Sequence, residues 1–193
     1  MKIFKPKFWD QNYFTIFSIL LIPFSLIYLI LIKLKKIISN PRNFTIPIIC
    51  VGNIYIGGTG KTTIALKICK ILKELEQDPV IVRKMYSSHD DEITLIKKHN
   101  KILLSKNRVE AIEKAIKKNF KFVVMDDGFQ DVTINKDLSI ICFHDNQRIG
   151  NGLLLPSGPL RERLTELKNC QIILINGKQD IEFEQQLKNI IQN

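Results

Sequence analysis

The stretch Gly57-Gly58-Thr59-Gly60-Lys61-Thr62 constrains this chain most. It follows an apolar, strand-like run from Ile46 to Val51 and opens a helix-like run from Ile64 to Leu75. Strand, glycine turn and helix in that order form the context of a phosphate-binding loop, in which backbone N–H groups curl around phosphate oxygens. Lys61 is then placed to reach the β- and γ-phosphates, and the Thr62 hydroxyl to hold Mg²⁺, with Gly57, Gly58, Thr59, Gly60 and Thr63 completing the nucleotide-binding stretch. The usual pattern has a glycine five residues before Gly60, where Tyr55 stands; Gly57 and Gly58 supply the tight turn instead. A glycine turn that merely joins strand to helix is the competing reading. Four glycines among residues 52–60, directly ahead of Lys61-Thr62, argue against it.

The chain has 193 residues, enough for one α/β domain with an appendage. Its formal charge is +10, and the charge is unevenly spread: residues 1–42 hold seven Lys or Arg and one Asp. Basic residues flanking an apolar run read as lipid-headgroup contacts rather than a nucleic-acid surface, and no RNA- or DNA-binding module pattern is present. Cys50, Cys69, Cys142 and Cys170 are widely spaced without a CxxC, so neither a zinc site nor a disulfide framework is indicated.

From Tyr13 to Ile32 the chain runs twenty residues without a charge, with Pro23 inside, Trp9 before it, and Lys33, Lys35, Lys36 and Arg42 after it. That length suits a membrane helix, spanning the bilayer or lying deep in its interface; a buried helix of a globular fold is the alternative. The expected division is therefore residues 1–42 as a basic segment with a membrane anchor helix, and residues 43–193 as an α/β domain.

Downstream, strand and helix patterns alternate. Strands are expected at Asn43–Val51, Val80–Val82, Ile102–Leu104, Phe120–Met125, Leu138–Phe143 and Ile172–Ile175. Helices are expected at Ile64–Leu75, Glu92–Lys98, Asn107–Lys118 and Ile181–Ile191, with Asn107 as a cap. Between the last two strands, Gly150–Arg163 reads as a long structured loop leading to a short helix. The alternation predicts a P-loop NTPase-like fold: a mostly parallel sheet with flanking helices, preceded by the membrane helix.

An apolar strand ending in Asp126-Asp127-Gly128 supplies the second half of such a site, since ligands of doubly wound sheets gather beyond the carboxyl ends of the strands. Asp126 and Asp127 are placed to hold Mg²⁺ opposite Thr62, unless Asp-Gly marks only a turn. Arg83 and Lys84 end their strand at the same rim. Asp91 or Glu92 is placed to accept a proton from an incoming hydroxyl, although on the residues alone a charged surface turn is the favoured reading. His89, His99 and His144 lack ligand spacing; His144-Asp145 ends a strand at that rim. Arg161 is a candidate for holding phosphate and Glu162 for helping with metal.

As a group, Val51-Gly52-Asn53, Gly57 to Thr62, Asp126-Asp127-Gly128-Phe129-Gln130 and Gly150-Asn151-Gly152-Leu153-Leu154-Leu155-Pro156-Ser157-Gly158-Pro159-Leu160-Arg161-Glu162 resemble the tetraacyldisaccharide 4'-kinase family. The resemblance runs from about Phe8 to Gly177 and covers the family's N-terminal part. It implies an ATP- and Mg²⁺-dependent kinase that phosphorylates the 4'-hydroxyl of the tetraacyldisaccharide 1-phosphate precursor of lipid A. It also implies attachment to inner-membrane lipids with the catalytic domain facing the cytoplasm, and no obligate protein partner. By matching position, Lys61, Asp91 and Asp127 are expected in catalysis, Asp91 as the base. Thr62, Asp126, Asp127 and Glu162 are expected at the metal, and Asn53, Gln130 and Arg161 at the acceptor.

The chain departs from the family pattern at several points. Thr63 stands where the family has Pro, Asp90 where it has Gly, Ile93 where it has Pro, and Asp131 where it has His. Arg83-Lys84-Met85-Tyr86-Ser87 replaces the Ser-Arg-Gly-Tyr-Gly segment. The chain ends at Asn193, ahead of most of the family's second lobe. Two other functions share the loop: a membrane-attached P-loop ATPase or switch, and a nucleotide-binding pseudoenzyme.

Overall fold

The computed structural model describes residues 5–11, 13–85 and 90–192, without the side chains of Asp90, Asp91, Glu92, Leu95 and His99. Six strands form one parallel sheet in the order β3-β2-β4-β1-β5-β6. They are β1 (Ile48–Gly52), β2 (Pro79–Lys84), β3 (Ile102–Ser105), β4 (Phe122–Asp126), β5 (Leu138–His144) and β6 (Ile172–Asn176). Pro79 takes the first position of β2, where its missing N–H interrupts the ladder least. Strands buried on both faces read as continuous apolar runs, and the alternation is visible residue by residue. Cys50, Val80, Val82, Val123 and Met125 enter one core with Ile112 and Ala115. Val51, Ile81 and Val124 enter the other with Ala65, Cys69 and Leu72. All four cysteines are free thiols, three of them buried, packing as small apolar residues.

The helices are α1 (Ile16–Leu20), α2 (Ile22–Ile38), α3 (Lys61–Glu74), α4 (Asp90–His99), α5 (Arg108–Lys117) and α6 (Ile181–Gln192). Asn107 caps α5 as expected, its side chain accepting from the Val109 N–H at 2.9 Å. The loop after Gly150 leads to a short 3-10 helix at Leu164–Asn169. The α3 helix starts three residues earlier than the apolar period indicated, because the glycine loop itself ends in the helix cap, Gly60.

The expected membrane-spanning helix is not formed: among the described residues no helix is long and apolar enough to cross a membrane. The physical reason is a break inside the apolar run. Thr15 caps the five-residue α1 by accepting from the Ser18 N–H, and a new helix begins at Ile22 with Pro23 in its first turn, where a proline has no hydrogen bond to lose. The second helix then runs on through Lys33, Lys35 and Lys36. Both helices lie against the protein. The Asn151 side-chain amide donates to the Ser18 hydroxyl at 3.3 Å, the Ser25 hydroxyl reaches the Leu154 carbonyl at 2.9 Å, and Tyr28 Oη donates to the Arg161 carbonyl at 3.1 Å.

Ile112 is fully buried between α5 and the sheet. Ile112→Ala is expected to lower unfolding free energy by about 2–5 kcal/mol through lost burial and a residual cavity. Urea denaturation followed by far-UV circular dichroism measures it.

Candidate active site

Strand register brings the site together. In the β1–β4 ladder Val51 lies opposite Asp126, and in the β2–β4 ladder Val82 lies opposite Met125, so Arg83 stands beside Asp126. The glycine loop, the acidic pair and Arg83 therefore share one rim. Gly52 is required where the two halves meet, since a Cβ there would come 2.6 Å from the Phe129 Cβ. Gly60 adopts φ +79°, and a Cβ would fall 2.7 Å from Asn176 Nδ2. That Asn176 amide donates to the Thr59 carbonyl and ties the loop to the end of β6.

Gly57 and Gly58 are exposed, Thr59 is buried and its hydroxyl has no partner, and α3 starts without a side-chain cap. Its first-turn N–H groups are left for another acceptor. Lys61 Nζ stands 4.0 Å from Asp127 Oδ1. The Thr62 hydroxyl donates to Asp126 Oδ2 at 3.2 Å, and Arg83 donates to the same oxygen at 2.8 Å. The other oxygen, Asp126 Oδ1, is buried with no partner. Thr63 is exposed on the outer side of α3.

The neighbouring acids differ in environment. Burial pushes the Asp126 carboxyl above its ordinary value, only partly offset by Arg83 and Lys61. Burial also raises Asp127, but Lys61, Arg161 and Arg108 together outweigh it and hold that carboxyl below the usual range. Arg161 donates to Asp127 Oδ1 at 3.0 Å. Arg108 donates to the Asp127 carbonyl at 2.6 Å and to Asp131 Oδ2 at 3.1 Å. Beside this network lies a cavity of about 460 Å³ whose wall includes Tyr28, Lys35, Lys84, Lys106, Arg108, Asp127, Gln130 and Arg161.

Of the residues singled out from sequence, Lys61, Thr62, Asp126, Asp127 and Arg161 converge on this point. Asn53 and Gln130 brace it: Asn53 Nδ2 donates to the Gly57 carbonyl at 3.2 Å and Gln130 Nε2 to the Asn53 carbonyl at 2.8 Å. Gln130 also lines the cavity. Glu162 is placed elsewhere. It is 4% exposed and bonded at 3.0 Å to Lys36 of α2, which also pairs with Glu166 at 2.8 Å. Burial raises its carboxyl, and Lys36 partly offsets this. Asp91 and Glu92 open α4 just beyond the carboxyl end of β2; their side chains, and His89, lie outside the described residues, as does the side chain of His99. His144 Nδ1 sits 2.7 Å from Asp145 Oδ1.

Sequence reasoning missed Arg108, Tyr28 and Lys35. Arg108 directly follows the cap at the end of β3, the same rim position that drew attention to Arg83. Tyr28 and Lys35 were hidden in and beside the apolar run.

A family model described as tetraacyldisaccharide-1-P 4'-kinase matches residues 17–192. A tetraacyldisaccharide 4'-kinase of Pelagibacter ubique (strain HTCC1062) is 44% identical over 197 residues, covering 100% of this chain and 62% of that protein. One from Rhodopseudomonas palustris (strain BisA53) is 32% identical over 191 residues, covering 90% and 55%. Among solved structures, LpxK from Aquifex aeolicus in complex with ATP superposes with a TM-score of 0.72 at 25% identity, covering 82% of this chain and 58% of that one. Signal recognition particle 54 kDa protein from Aeropyrum pernix shares the fold alone, with a TM-score of 0.52 at 11% identity. This chain thus spans less than two thirds of the length of these curated relatives.

The lowered Asp127 carboxyl makes its ionised form a stabilising group. The contribution is present above the ordinary value of 3.8 and is lost as pH falls through the lower folded-state value. Asp127→Asn is therefore expected to be less stable than the parent at pH 7, with the gap closing below about pH 3.8. Urea midpoints of both proteins at pH 7, 5 and 3 measure it.

Proposed function

This chain belongs to the tetraacyldisaccharide 4'-kinase family, and on that premise we propose that it transfers the γ-phosphoryl group of ATP to the 4'-hydroxyl of a tetraacyldisaccharide 1-phosphate, the acylated precursor of lipid A. The observation that carries the reading is the convergence of Lys61, Thr62 and the half-satisfied Asp126 at the joined ends of β1 and β4. Phosphoryl transfer asks little covalent chemistry of a protein; it needs a held triphosphate, neutralised charge and an oriented acceptor.

In this reading the N–H groups of Gly57 to Thr62 hold phosphate oxygens and Lys61 moves from Asp127 to the β- and γ-phosphates. Arg161, now on Asp127, neutralises charge on the acceptor side. The residues fit Mg²⁺. Asp126 has one buried oxygen without a partner, next to the Thr62 hydroxyl, and such sites use one or two carboxylates with substrate phosphates rather than a dedicated cage. Among the described residues no group of three or more His, Cys, Asp or Glu gathers, as such a site does not require. Thr62, Asp126 and Asp127 would hold the ion, which when bound supplies positive charge to the phosphates; Glu162, engaged with Lys36, is not assigned to it. Asp91, opening α4 at the same rim, is assigned as the base that accepts the hydroxyl proton.

We assign residues 1–42 to the membrane surface and residues 43–193 to the catalytic domain. Helices α1 and α2 turn Ser18, Ser25, Tyr28, Lys35 and Lys36 toward the protein and leave Phe17 (67%), Leu20 (65%), Phe24 (58%), Ile27 (55%) and Leu31 (58%) exposed. A contiguous apolar face of this kind supports seating on the cytoplasmic leaflet of the inner membrane without crossing it.

Three expected outcomes test the reading. In a transfer assay with labelled ATP and acylated disaccharide in detergent, Lys61→Ala lowers turnover on the order of 10²–10³-fold while the circular dichroism spectrum is retained. Unchanged transfer would exclude this loop as the nucleotide site. Asp91→Ala lowers turnover by about 10²–10⁴-fold with ATP affinity nearly unchanged; equal losses in both would reassign Asp91 to nucleotide binding. Phe24→Glu with Ile27→Glu lowers partitioning into phosphatidylglycerol-containing vesicles by about tenfold or more, read by co-sedimentation.

A further inference from the structure

The approach to the glycine loop is held from outside the sheet domain. Tyr55, which stands where the loop pattern has a glycine, is fully buried two residues ahead of Gly57. Its backbone bridges Leu160, and the Ile56 N–H donates to the Pro159 carbonyl at 2.9 Å, an extended path that needs no glycine. Its ring reaches the loop itself: a Cβ on Gly57 would lie 3.8 Å from Tyr55 Cε1. The Tyr55 hydroxyl donates to Asp10 Oδ1. Lys5 pairs with that same oxygen and lies 4.6 Å from the centre of the Tyr55 ring.

Asp10 belongs to a turn that is itself fixed. It ends the 3-10 turn Lys7–Asp10, in which Trp9 is buried. The Trp9 indole donates to the Pro156 carbonyl at 3.0 Å, and the Trp9 carbonyl accepts from the Asn151 N–H at 2.9 Å. The turn is thus fastened to the same loop, residues 151–160, that bridges Tyr55, and Asp10 carries it to the Tyr55 hydroxyl.

A glycine-rich loop grips phosphate only once its backbone is ordered, and glycines lose more freedom on ordering than other residues. Gly57, Gly58 and Gly60 make up half of the six-residue loop. A fixed aromatic ring beside Gly57 removes part of that freedom before ATP arrives. Pre-organisation of this kind raises affinity without adding a contact to the nucleotide. By linkage, whatever ATP gains from the docked turn, the docked turn gains from ATP.

We propose that Asp10, acting through Tyr55, is a positioning residue for the phosphate loop, so that docking of the N-terminal turn and binding of ATP favour one another. This role rests on the kinase reading above and deepens it. It places a control on nucleotide affinity within residues 1–42, a segment otherwise assigned to the membrane surface.

Isothermal titration of ATP with excess Mg²⁺ into the full chain compares the parent, Tyr55→Phe, Asp10→Ala and the double variant. Tyr55→Phe keeps the buried ring and removes only the hydroxyl, and the Asp10 side chain is half-exposed, so neither change empties the core. Each single variant is expected to raise the Kd for ATP about fivefold or more, with the far-UV circular dichroism spectrum retained. The double variant is expected to match the singles, because both remove one bond. Trp9, the one tryptophan of the chain, gives the reciprocal readout. ATP is expected to lower acrylamide quenching of its fluorescence in the parent and to leave it unchanged in Tyr55→Phe. A smaller change of Kd in either single variant, or single effects that add in full in the double variant, overturns the positioning role and leaves the loop as the nucleotide site. Trp9 quenching that ATP does not alter in the parent overturns it also, whether or not the variants fold. A parent that binds no ATP overturns the nucleotide site and the positioning role together.

Discussion

The carboxylate of Asp126 holds this rim together. It is completely buried at the end of β4, and one of its oxygens accepts from Thr62 at the start of α3 and from Arg83 at the end of β2. Three pieces of the α/β fold, α3, β2 and β4, are thus joined through one oxygen atom. A buried ion pair of this kind contributes little to stability unless its desolvation is offset by close, well-aligned hydrogen bonds, and here the offset is incomplete. The second oxygen has no partner, and burial still holds the group above its ordinary pKa. An unsatisfied buried carboxylate oxygen is destabilising in isolation. Its location beside a phosphate-loop hydroxyl is where a bound cation would satisfy it.

The two acids illustrate how one residue of separation changes electrostatic character. Asp126 is fully buried, its carboxylate held by Thr62 and Arg83. Asp127 turns out of the strand with φ +57°, its N–H still bonded to the Val51 carbonyl at 2.9 Å. There it meets Lys61, Arg161 and Arg108, so the same side-chain type is held ionised. The left-handed turn at Asp127, strained for a non-glycine residue, is what delivers its carboxylate to the cations on the loop side.

The strands and helices of the sheet domain were legible because period-2 and period-3.6 patterns are local properties. The glycine loop and the acidic strand end were legible because their chemistry sits in consecutive residues. Arg83 and Arg108 were harder. Their partners depend on β4 being inserted between β1 and β2, an order that no short pattern encodes. Glu162 was harder for the same reason: adjacent in sequence to Arg161, it meets Lys36, more than a hundred residues earlier. The N-terminal run did carry a readable signal against a span. Ser18, Ser25, Tyr28, Lys35 and Ser39 recur at intervals of seven, three, seven and four, the spacing of one helical face. Their hydrogen bonds to Asn151, Leu154, Arg161, Gln130 and Val132 show that this face is the inner one.

That inverted amphipathicity has a geometric consequence for the site. A helix that buries its polar stripe and exposes its apolar one is stable only if something apolar covers the outside. The same helix touches the residues that line the cavity. Tyr28 donates to the Arg161 carbonyl, and Lys35 to the Gln130 carbonyl; Lys36 holds Glu162, the residue after Arg161. Tyr28 and Lys35 are themselves part of the cavity wall. The distance between the apolar outer face and Asp127 is therefore set by the width of one helix and a few direct hydrogen bonds, with no flexible linker between them. On the proposed kinase reading, an acceptor with its acyl chains in an apolar phase and its sugar in the cavity would meet both requirements at once, because the apolar outer face and part of the cavity wall belong to one helix.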